Sequence, residues 1–375
     1  MYLADETQMW LFLLITHFSP LRFTRRRVIL HTCADNNFAP AGDCRLLNRR
    51  LFFWVLPSLL MGALMAPRLV YAVTPISEVS TLPVSNNTTG INDTPGLGAF
   101  TGLWDVTFDG GDDEIQTIKV GTNAATDPSY EFVTLADELR LRRGVSPVVG
   151  NRELLFCRGN PASGNTIPCE GSTLTDMKTV LLGRSLNFGT DNIFANNGGT
   201  NSNNVERLDY IYKTGISVTG TSINELGFVI LERGGNDGVK IAPILAVDSN
   251  FDPTIFGTLV TINGGDWGPS GISYPAVVFR RDPGEVDYRP SADLGTQNVG
   301  GVLVTFAELG IASGQTIYGY ALFPEDVTDS NAPLASFPTD STTGLDLIEG
   351  GGFFRLETGT EFIDCLLYTS DAADE

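Results

Sequence analysis

The feature that most constrains the fold of this chain is a succession of short apolar runs that begins near residue 100. The runs are rich in β-branched and aromatic residues and are separated by Gly, Asn, Asp and Pro, which is the pattern of β-strands joined by turns. No segment of 12 or more residues shows a clear helical period between capping residues. The predicted strands are Leu103–Phe108, Glu114–Val120, Glu153–Arg158, Lys178–Leu182, Glu206–Tyr212, Leu226–Glu232, Val239–Val247, Thr258–Ile262, Ala276–Arg280, Val302–Phe306 and Thr316–Leu322.

Such strands predict an all-β fold, an antiparallel β-sandwich of the jelly-roll-like type with long Gly- and Asn-rich loops. Ile241–Val247 and Val277–Phe279 are apolar throughout, as strands buried on both faces are. The domain is expected to span residues 100–364, either as one sandwich or as two smaller sandwiches that meet near residue 190. Thr305–Gly310 is expected to form one helical turn that ends at its glycine.

The N-terminal part of the chain predicts export. Two arginines precede an apolar stretch, Leu51–Ala66, and Val70–Ala72 fits the small-x-small cleavage pattern, so residues 46–72 are interpreted as a secretory signal peptide. A retained membrane anchor is the alternative, although the stretch is shorter than the roughly 20 residues that span a bilayer. Residues 1–45 are interpreted as spurious upstream translation. Residues 73–99, rich in Thr, Ser, Asn and Pro, are interpreted as a polar linker.

The last eleven residues, 365–375, read CLLYTSDAADE. This string matches the translation of a transposase-type sequencing adapter, whereas the alternative is a natural acidic tail. On the adapter interpretation Cys365 is not a natural thiol. The natural chain is then expected to continue past Asp364.

The segment between these ends, residues 73–364, is acidic and contains no histidine. Eight basic and four acidic residues lie upstream of it, and three acidic residues lie in the last eleven. It therefore retains 16 basic and 37 acidic residues, a formal charge of −21. This charge disfavours nucleic-acid binding, and the lack of histidine excludes Ser-His-Asp, Cys-His and His-ligated zinc sites within the segment. Glycine-rich nucleotide-binding motifs are absent too.

Carboxylate chemistry remains open, because a glycoside hydrolase needs only two acids that face each other across a cleft. The candidates in or beside predicted strands are Glu206, Asp209, Glu225 and Glu232. Acids are usually exposed, so the favoured interpretation is that these four are solvated residues at strand edges. No catalytic residue is assigned.

A calcium site is a second hypothesis. Asp109, Asp112, Asp113 and Glu114 lie within six residues of each other, in what is predicted to be a turn between two strands. Carboxylates at such spacing repel one another unless a cation such as Ca²⁺ binds between them. A solvated acidic turn is the alternative. Gly234–Gly238 is a weaker candidate, because Asn-Asp-Gly is first of all a turn sequence.

Two further features are typical of secreted proteins. Cys157 and Cys169 are the only cysteines of residues 73–364. In an exported chain this favours a disulfide, which would stabilise the folded state by roughly 3 kcal/mol. Two free buried thiols are the alternative. The Asn-rich stretch Thr190–Asn204 contains Phe194, and amides beside an aromatic ring can bind sugar hydroxyls. An irregular solvated connection is the favoured interpretation of this stretch.

Four segments resemble a group of uncharacterised bacterial secreted or surface proteins that carry a C-terminal sorting or anchoring tail. The segments, all within a stretch a little under half of the chain, are Asn204–Ile211, Gly227–Asp237, Ile317–Phe323 and Gly344–Gly351. The resemblance implies export, a β-rich domain and surface attachment through the C-terminus. It implies no catalytic residues.

The sequence therefore predicts a non-enzymatic extracellular protein, secreted or at the cell surface. Its role would be that of an adhesive or matrix component, stabilised by Ca²⁺ and in contact with extracellular polysaccharide or other surface components. The alternative is a carboxylate-only glycoside hydrolase or lyase that acts on polysaccharide.

Overall fold

A computed structural model of the full chain describes part of its residues, all of which lie in the second of two compact units, Leu69–Glu375. The described residues are 73–83, 90–91, 105–108, 113–144, 152–158, 166–169, 176–195, 203–218, 222–286, 288–328, 334–336, 345, 347–348 and 352–357. The predicted signal peptide, the upstream segment and the adapter-like end lie outside them. Among the described residues, no helix has the length and apolar character needed to cross a bilayer.

The described residues form strands with one short helix, α1 (Met177–Leu181), and 3₁₀ turns at Ser222–Asn224 and Leu334–Ser336. The strands are β1 (Thr74–Pro83), β2 (Gly90–Ile91), β3 (Asp105–Phe108), β4 (Asp113–Val120), β5 (Ser129–Thr134), β6 (Glu138–Arg143), β7 (Glu153–Arg158), β8 (Thr166–Cys169), β9 (Phe188–Thr190), β10 (Val205–Ser217), β11 (Leu226–Arg233), β12 (Val239–Val247), β13 (Pro253–Phe256), β14 (Val260–Ile262), β15 (Gly268–Arg281), β16 (Arg289–Thr305), β17 (Thr316–Pro324) and β18 (Gly352–Leu356).

The largest sheet has the order β1-β4-β5-β18-β11-β16-β15-β7-β9, and β1 also pairs with β16. This extra pairing, in which Thr74 lies opposite Leu303 and Pro75 opposite Val302, closes the first six strands into an antiparallel barrel. Strands β15, β7 and β9 extend the sheet beyond β16. A second sheet has the order β13-β12-β17-β10-β6, with β14 also paired to β12, and a small third sheet has the order β2-β3-β8.

The two larger sheets face each other across a shared core. Phe228 of β11 lies 4.3 Å from Tyr320 of β17 between ring centroids, and Tyr320 stacks on Tyr210 of β10 at 4.7 Å. Phe306 and Phe353 stack on each other and flank Phe228. Alternate residues of a strand point to opposite faces, so Val229 and Leu231 of β11 belong to a different core, made of large-sheet residues, that fills the barrel.

The predicted all-β antiparallel class is confirmed. Two sheets packed over one core are the arrangement of a sandwich. Closure of the larger sheet into a barrel was not indicated by any local sequence pattern. The predicted strands match described ones with one exception, treated next, and strands from both sides of residue 190 share both large sheets. The expected helical turn is present: the Leu309 amide donates to the Thr305 carbonyl at 3.0 Å, and Gly310 has φ +70°.

The prediction of a strand at Lys178–Leu182 was wrong, because this segment is mostly helix α1. Asp176 caps the helix by accepting from the Thr179 amide at 2.8 Å. Met177, Val180 and Leu181 are buried, which is the i, i+3, i+4 spacing of one helical face. Over so few residues, apolar content alone cannot separate a strand from a helix.

The prediction of a polar linker at residues 73–99 was wrong for Thr74–Pro83, which is β1. Ile76 of this strand is fully buried. It packs so closely against two glycines that neither could carry a side chain. A β-carbon on Gly301 would lie 2.8 Å from Ile76 Cδ1, and one on Gly268 would lie 2.2 Å from the Ile76 carbonyl oxygen. The Ser and Thr residues of β1 make the segment polar in composition, so the buried position of Ile76 is not evident from the sequence.

We predict that Ile76→Ala lowers the free energy of unfolding by about 3 kcal/mol, because it leaves a cavity in the barrel core. Leu82→Ala is the matched control on the same strand, since Leu82 is 58% exposed, and its effect should be below about 0.5 kcal/mol. Urea unfolding followed by circular dichroism measures both changes. Equal effects of the two substitutions would contradict closure of the barrel by β1.

Candidate functional site

Asp209, one of the four candidate acids, is buried at the centre of an ion-pair cluster on β10. Its side chain has no exposed surface, and it accepts from Arg142 Nε at 2.8 Å and from Arg207 Nη2 at 3.1 Å. Arg207 is itself only 4% exposed. It also donates to the Leu334 carbonyl at 2.8 Å, and its guanidinium lies 5.2 Å from the ring centroid of Phe256. This acid is therefore enclosed by cations and covered by neighbouring segments.

The cluster continues outward along β6 to the surface. Asp252 accepts from Arg142 at 2.5 Å and from Arg140 at 2.6 Å, and Arg140 donates to Glu138 at 2.7 Å. The hydrogen bond from Arg142 holds the pKa of Asp252 below its ordinary value, and the bond from Arg140 does the same for Glu138. We call Asp209, Arg142, Asp252, Arg140 and Glu138 the β6 ion-pair chain.

The other candidate acids occupy separate places. Glu206 is fully buried at an irregularity in the β10–β6 register between Val205 and Arg207. Glu232 is fully buried near the end of β11 and accepts from the amides of Gly235 and Asn236. Glu225 is partly buried just before β11.

The interpretation of these acids as solvated residues at strand edges is wrong for Glu206, Asp209 and Glu232. One partner of Asp209, Arg142, lies 67 residues away in the sequence, whereas the amide donors to Glu232 lie in the turn that follows it. Gly234–Gly238, where Glu232 finds its amide donors, leads from β11 of the large sheet to β12 of the second sheet.

The ends of the Asn-rich stretch Thr190–Asn204 are buried rather than solvated. Asp191 forms an ion pair of 2.7 Å with Arg233, whose side chain is 1% exposed. Asn203 donates to the Asp191 carbonyl at 2.7 Å, and its side-chain oxygen accepts from the Leu154 amide at 2.9 Å. Phe194 is fully buried, so its ring is not available to stack on a sugar. Residues 196–202 lie outside the described residues.

The predicted calcium ligands fall only partly within the described chain. Asp113 and Glu114 belong to β4 rather than to a turn, and Glu114 forms an ion pair with Arg184. Asp109 and Asp112 lie outside the described residues. Within the part of the chain that is described, no group of three His, Cys, Asp or Glu side chains could hold a metal ion. The calcium site stays a prediction that now depends on Asp109 and Asp112.

The two cysteines lie on different sheets. Cys157 is fully buried on β7, and Cys169 is the last residue of β8, which pairs with β3 in the small sheet. Their disulfide stays a prediction, and titration of thiols in the unfolded, unreduced protein tests it.

One further group was missed by the sequence analysis. Glu153, at the start of β7, accepts from the Tyr288 hydroxyl and from Arg281, both at 2.5 Å. Burial, and then the charge of Glu153, raise the pKa of the Tyr288 phenol. Tyr288 therefore stays protonated and acts as a donor rather than as a nucleophile. The available signal was the adjacent pair Arg280-Arg281 in a chain with few basic residues.

Comparison with known proteins returned no match: no family model, no curated protein and no solved structure matches the chain.

We predict that Asp209→Asn lowers the free energy of unfolding by about 3 kcal/mol, because removal of one partner leaves a buried charge uncompensated. Glu131→Gln is the matched control. Glu131 pairs with Arg355 at 2.5 Å, but both side chains are more than one-third exposed, so its loss should cost about 0.5 kcal/mol or less. Chemical unfolding at neutral pH measures the two. A loss at Asp209 no larger than at Glu131 would contradict a structural role for the buried pair.

Proposed function

We propose that this protein is a non-enzymatic extracellular binding protein, secreted or attached to the cell surface as an adhesive or matrix component. The observation that carries the proposal is the placement of the strand carboxylates. Glu206, Asp209 and Glu232 are fully buried, and the described contacts of Asp209 and Glu232 tie them to the fold. These contacts support a structural role for Asp209 and Glu232 rather than contact with a substrate.

The alternative, a carboxylate-only glycoside hydrolase, requires a general acid and a second carboxylate about 5–9.5 Å apart on either side of a sugar. Asp209 has no exposed surface, and two guanidinium groups contact its oxygens, so a glycosidic oxygen cannot reach it. Glu232 is equally buried, and backbone amides contact it. This placement disfavours the hydrolase for these candidate acids.

Export and surface attachment rest on the sequence. The signal-peptide pattern of residues 46–72 and the resemblance to bacterial surface proteins both support an extracellular location. The excess of acidic residues suits a protein that uses divalent cations. Extracellular polysaccharide, or other components of the cell surface, are the proposed partners. Loops on a rigid β-scaffold are where such recognition usually occurs.

The binding function is tested with a panel of insoluble polysaccharides. The protein should be retained on at least one of them without release of reducing sugar. The control is Asp252→Asn, which changes an exposed member of the β6 ion-pair chain. Release of reducing sugar that is lost in Glu206→Gln and retained in this control would replace the proposal by the hydrolase.

Calcium is proposed as a stabilising ion held by the acidic segment of Asp109, Asp112, Asp113 and Glu114. Binding to the folded state alone would stabilise it by about 2.7 kcal/mol at a hundredfold excess over Kd. Such a gain raises the melting temperature by several degrees. We expect millimolar Ca²⁺ to produce this rise in the wild type and in the control Glu357→Gln, but not in the double variant Asp109→Asn, Asp112→Asn. Equal melting temperatures with and without Ca²⁺ in the wild type would remove calcium from the proposal.

A further inference from the structure

Three arginines converge where the hairpin between β15 and β16 meets β7. Arg280 lies directly opposite Arg289 in the β15–β16 register. Arg152 precedes β7, whose Leu154 is the register partner of Arg280. We call Arg152, Arg280 and Arg289 the arginine triad. Like charges opposite each other on neighbouring strands destabilise a sheet, so this place needs anions.

One carboxylate contacts all three members of the triad. Asp282 accepts from Arg152 at 2.6 Å and from Arg289 at 3.2 Å, and it forms an ion pair with Arg280 at 3.2 Å. Glu285 forms a further ion pair with Arg289. The Asp282 amide donates to the Glu285 carboxylate at 3.1 Å, and the Glu285 amide donates to the Asp282 carbonyl at 3.0 Å. The hairpin turn thus holds both acids against the triad.

The triad offers more donors than these two acids accept. Each guanidinium has five N–H donors in a planar fork, and Nε of Arg280 is buried with no hydrogen-bond partner in the described part of the chain. The side chains of Arg152, Arg280 and Arg289 are 16%, 10% and 9% exposed. Charged hydrogen bonds are stronger in such surroundings than in water.

The site is open on the side of the hairpin. Asp282 is 22% exposed and Glu285 37% exposed. Pro283, Gly284 and Val286 of the same hairpin are exposed as well. Solvent therefore reaches the triad from the side of Asp282 and Glu285.

We propose that the arginine triad binds an oxoanion, a sulfate or phosphate group. Its several oxygens match the planar forks of neighbouring guanidinium groups, whereas chloride offers no such geometry. Asp282 orients the three arginines and occupies part of the site. The oxoanion binds in the place of this carboxylate. The site is separate from the β6 ion-pair chain and does not depend on the binding function proposed above.

The test is a series of melts of the full chain in sodium sulfate, against sodium chloride of equal ionic strength. Sulfate stabilises folded proteins generally by exclusion from their surface. Binding at a specific site is therefore measured by the part of the rise in melting temperature that saturates with sulfate concentration. We expect a saturable rise of about 2–4 °C in the wild type. It should be kept in the control Arg355→Gln, and lost in Arg289→Gln and in Arg152→Gln. Asp282→Asn should bind sulfate at least about fivefold more tightly, because the competing charge is removed.

The outcomes decide the proposal in each case. A rise that does not saturate, or that is equal in the wild type and Arg152→Gln, overturns the site. Arg152→Gln alters the most exposed member of the triad, and it decides the matter if Arg289→Gln fails to fold. Weaker sulfate binding by Asp282→Asn overturns the proposed competition. Dextran sulfate at equal sulfate concentration separates the sources: tighter binding than inorganic sulfate identifies a sulfated polymer, and equal binding identifies the free anion.

Discussion

Strand β1 joins β4 and β16, the two ends of a run of five strands, and the barrel depends on this junction. It pairs with β4 from Ile76 to Pro83 and with β16 at Thr74 and Pro75. Without β1, the edges of β4 and β16 would present unpaired amides and carbonyls. The barrel core around Ile118, Leu231 and Leu303 would also lose one wall. Because β16 continues past the barrel to pair with β15, the closure also fixes the strand on which β15, β7 and β9 are built.

Buried charges are the second constraint on the fold. Arg207 and Arg233 are almost fully enclosed, and each is tolerated because a carboxylate lies within hydrogen-bond distance. These pairs also connect distant parts of the chain. Arg233 of the large sheet binds Asp191 in the stretch after β9, and Arg207 of the second sheet binds the carbonyl of Leu334. A shift of one residue in either strand would move the arginine to the opposite face, so the pairs favour the observed register.

Burial and pairing with arginine also separate the structural acids from the acids that could bind ligands. The candidate acids Glu206, Asp209 and Glu232 are enclosed. By contrast, Asp252, Glu285 and Asp282 lie at the surface ends of arginine clusters. Arginines are few in this acidic chain, and many of the described ones are used in these clusters. Recognition of an anion at the arginine triad and recognition of a cation near Asp109 would therefore use different parts of one scaffold.

The sequence by itself determined the local structure and the chemistry that is excluded. Leu226–Glu232, Val239–Val247 and Thr316–Leu322 are strands because β-branched and aromatic side chains fit a pleated surface and turn residues bound each run. The turn at Thr305–Gly310 follows from its glycine. The absence of histidine in residues 73–364 excludes imidazole chemistry there whatever the fold. These inferences need only neighbours along the chain or composition.

The tertiary structure alone decided which elements meet. Local pattern did not separate α1 from a strand, because a short apolar run such as Val180–Leu182 occurs in both. It also did not reveal β1, whose partners are far along the chain. Asp209 and Arg142 are 67 residues apart, and Arg152 and Asp282 are 130 apart. Burial converts such acids from expected surface residues into structural ones. Burial depends on tertiary contacts, because desolvation and pairing of a charge are properties of the packed chain rather than of its local sequence.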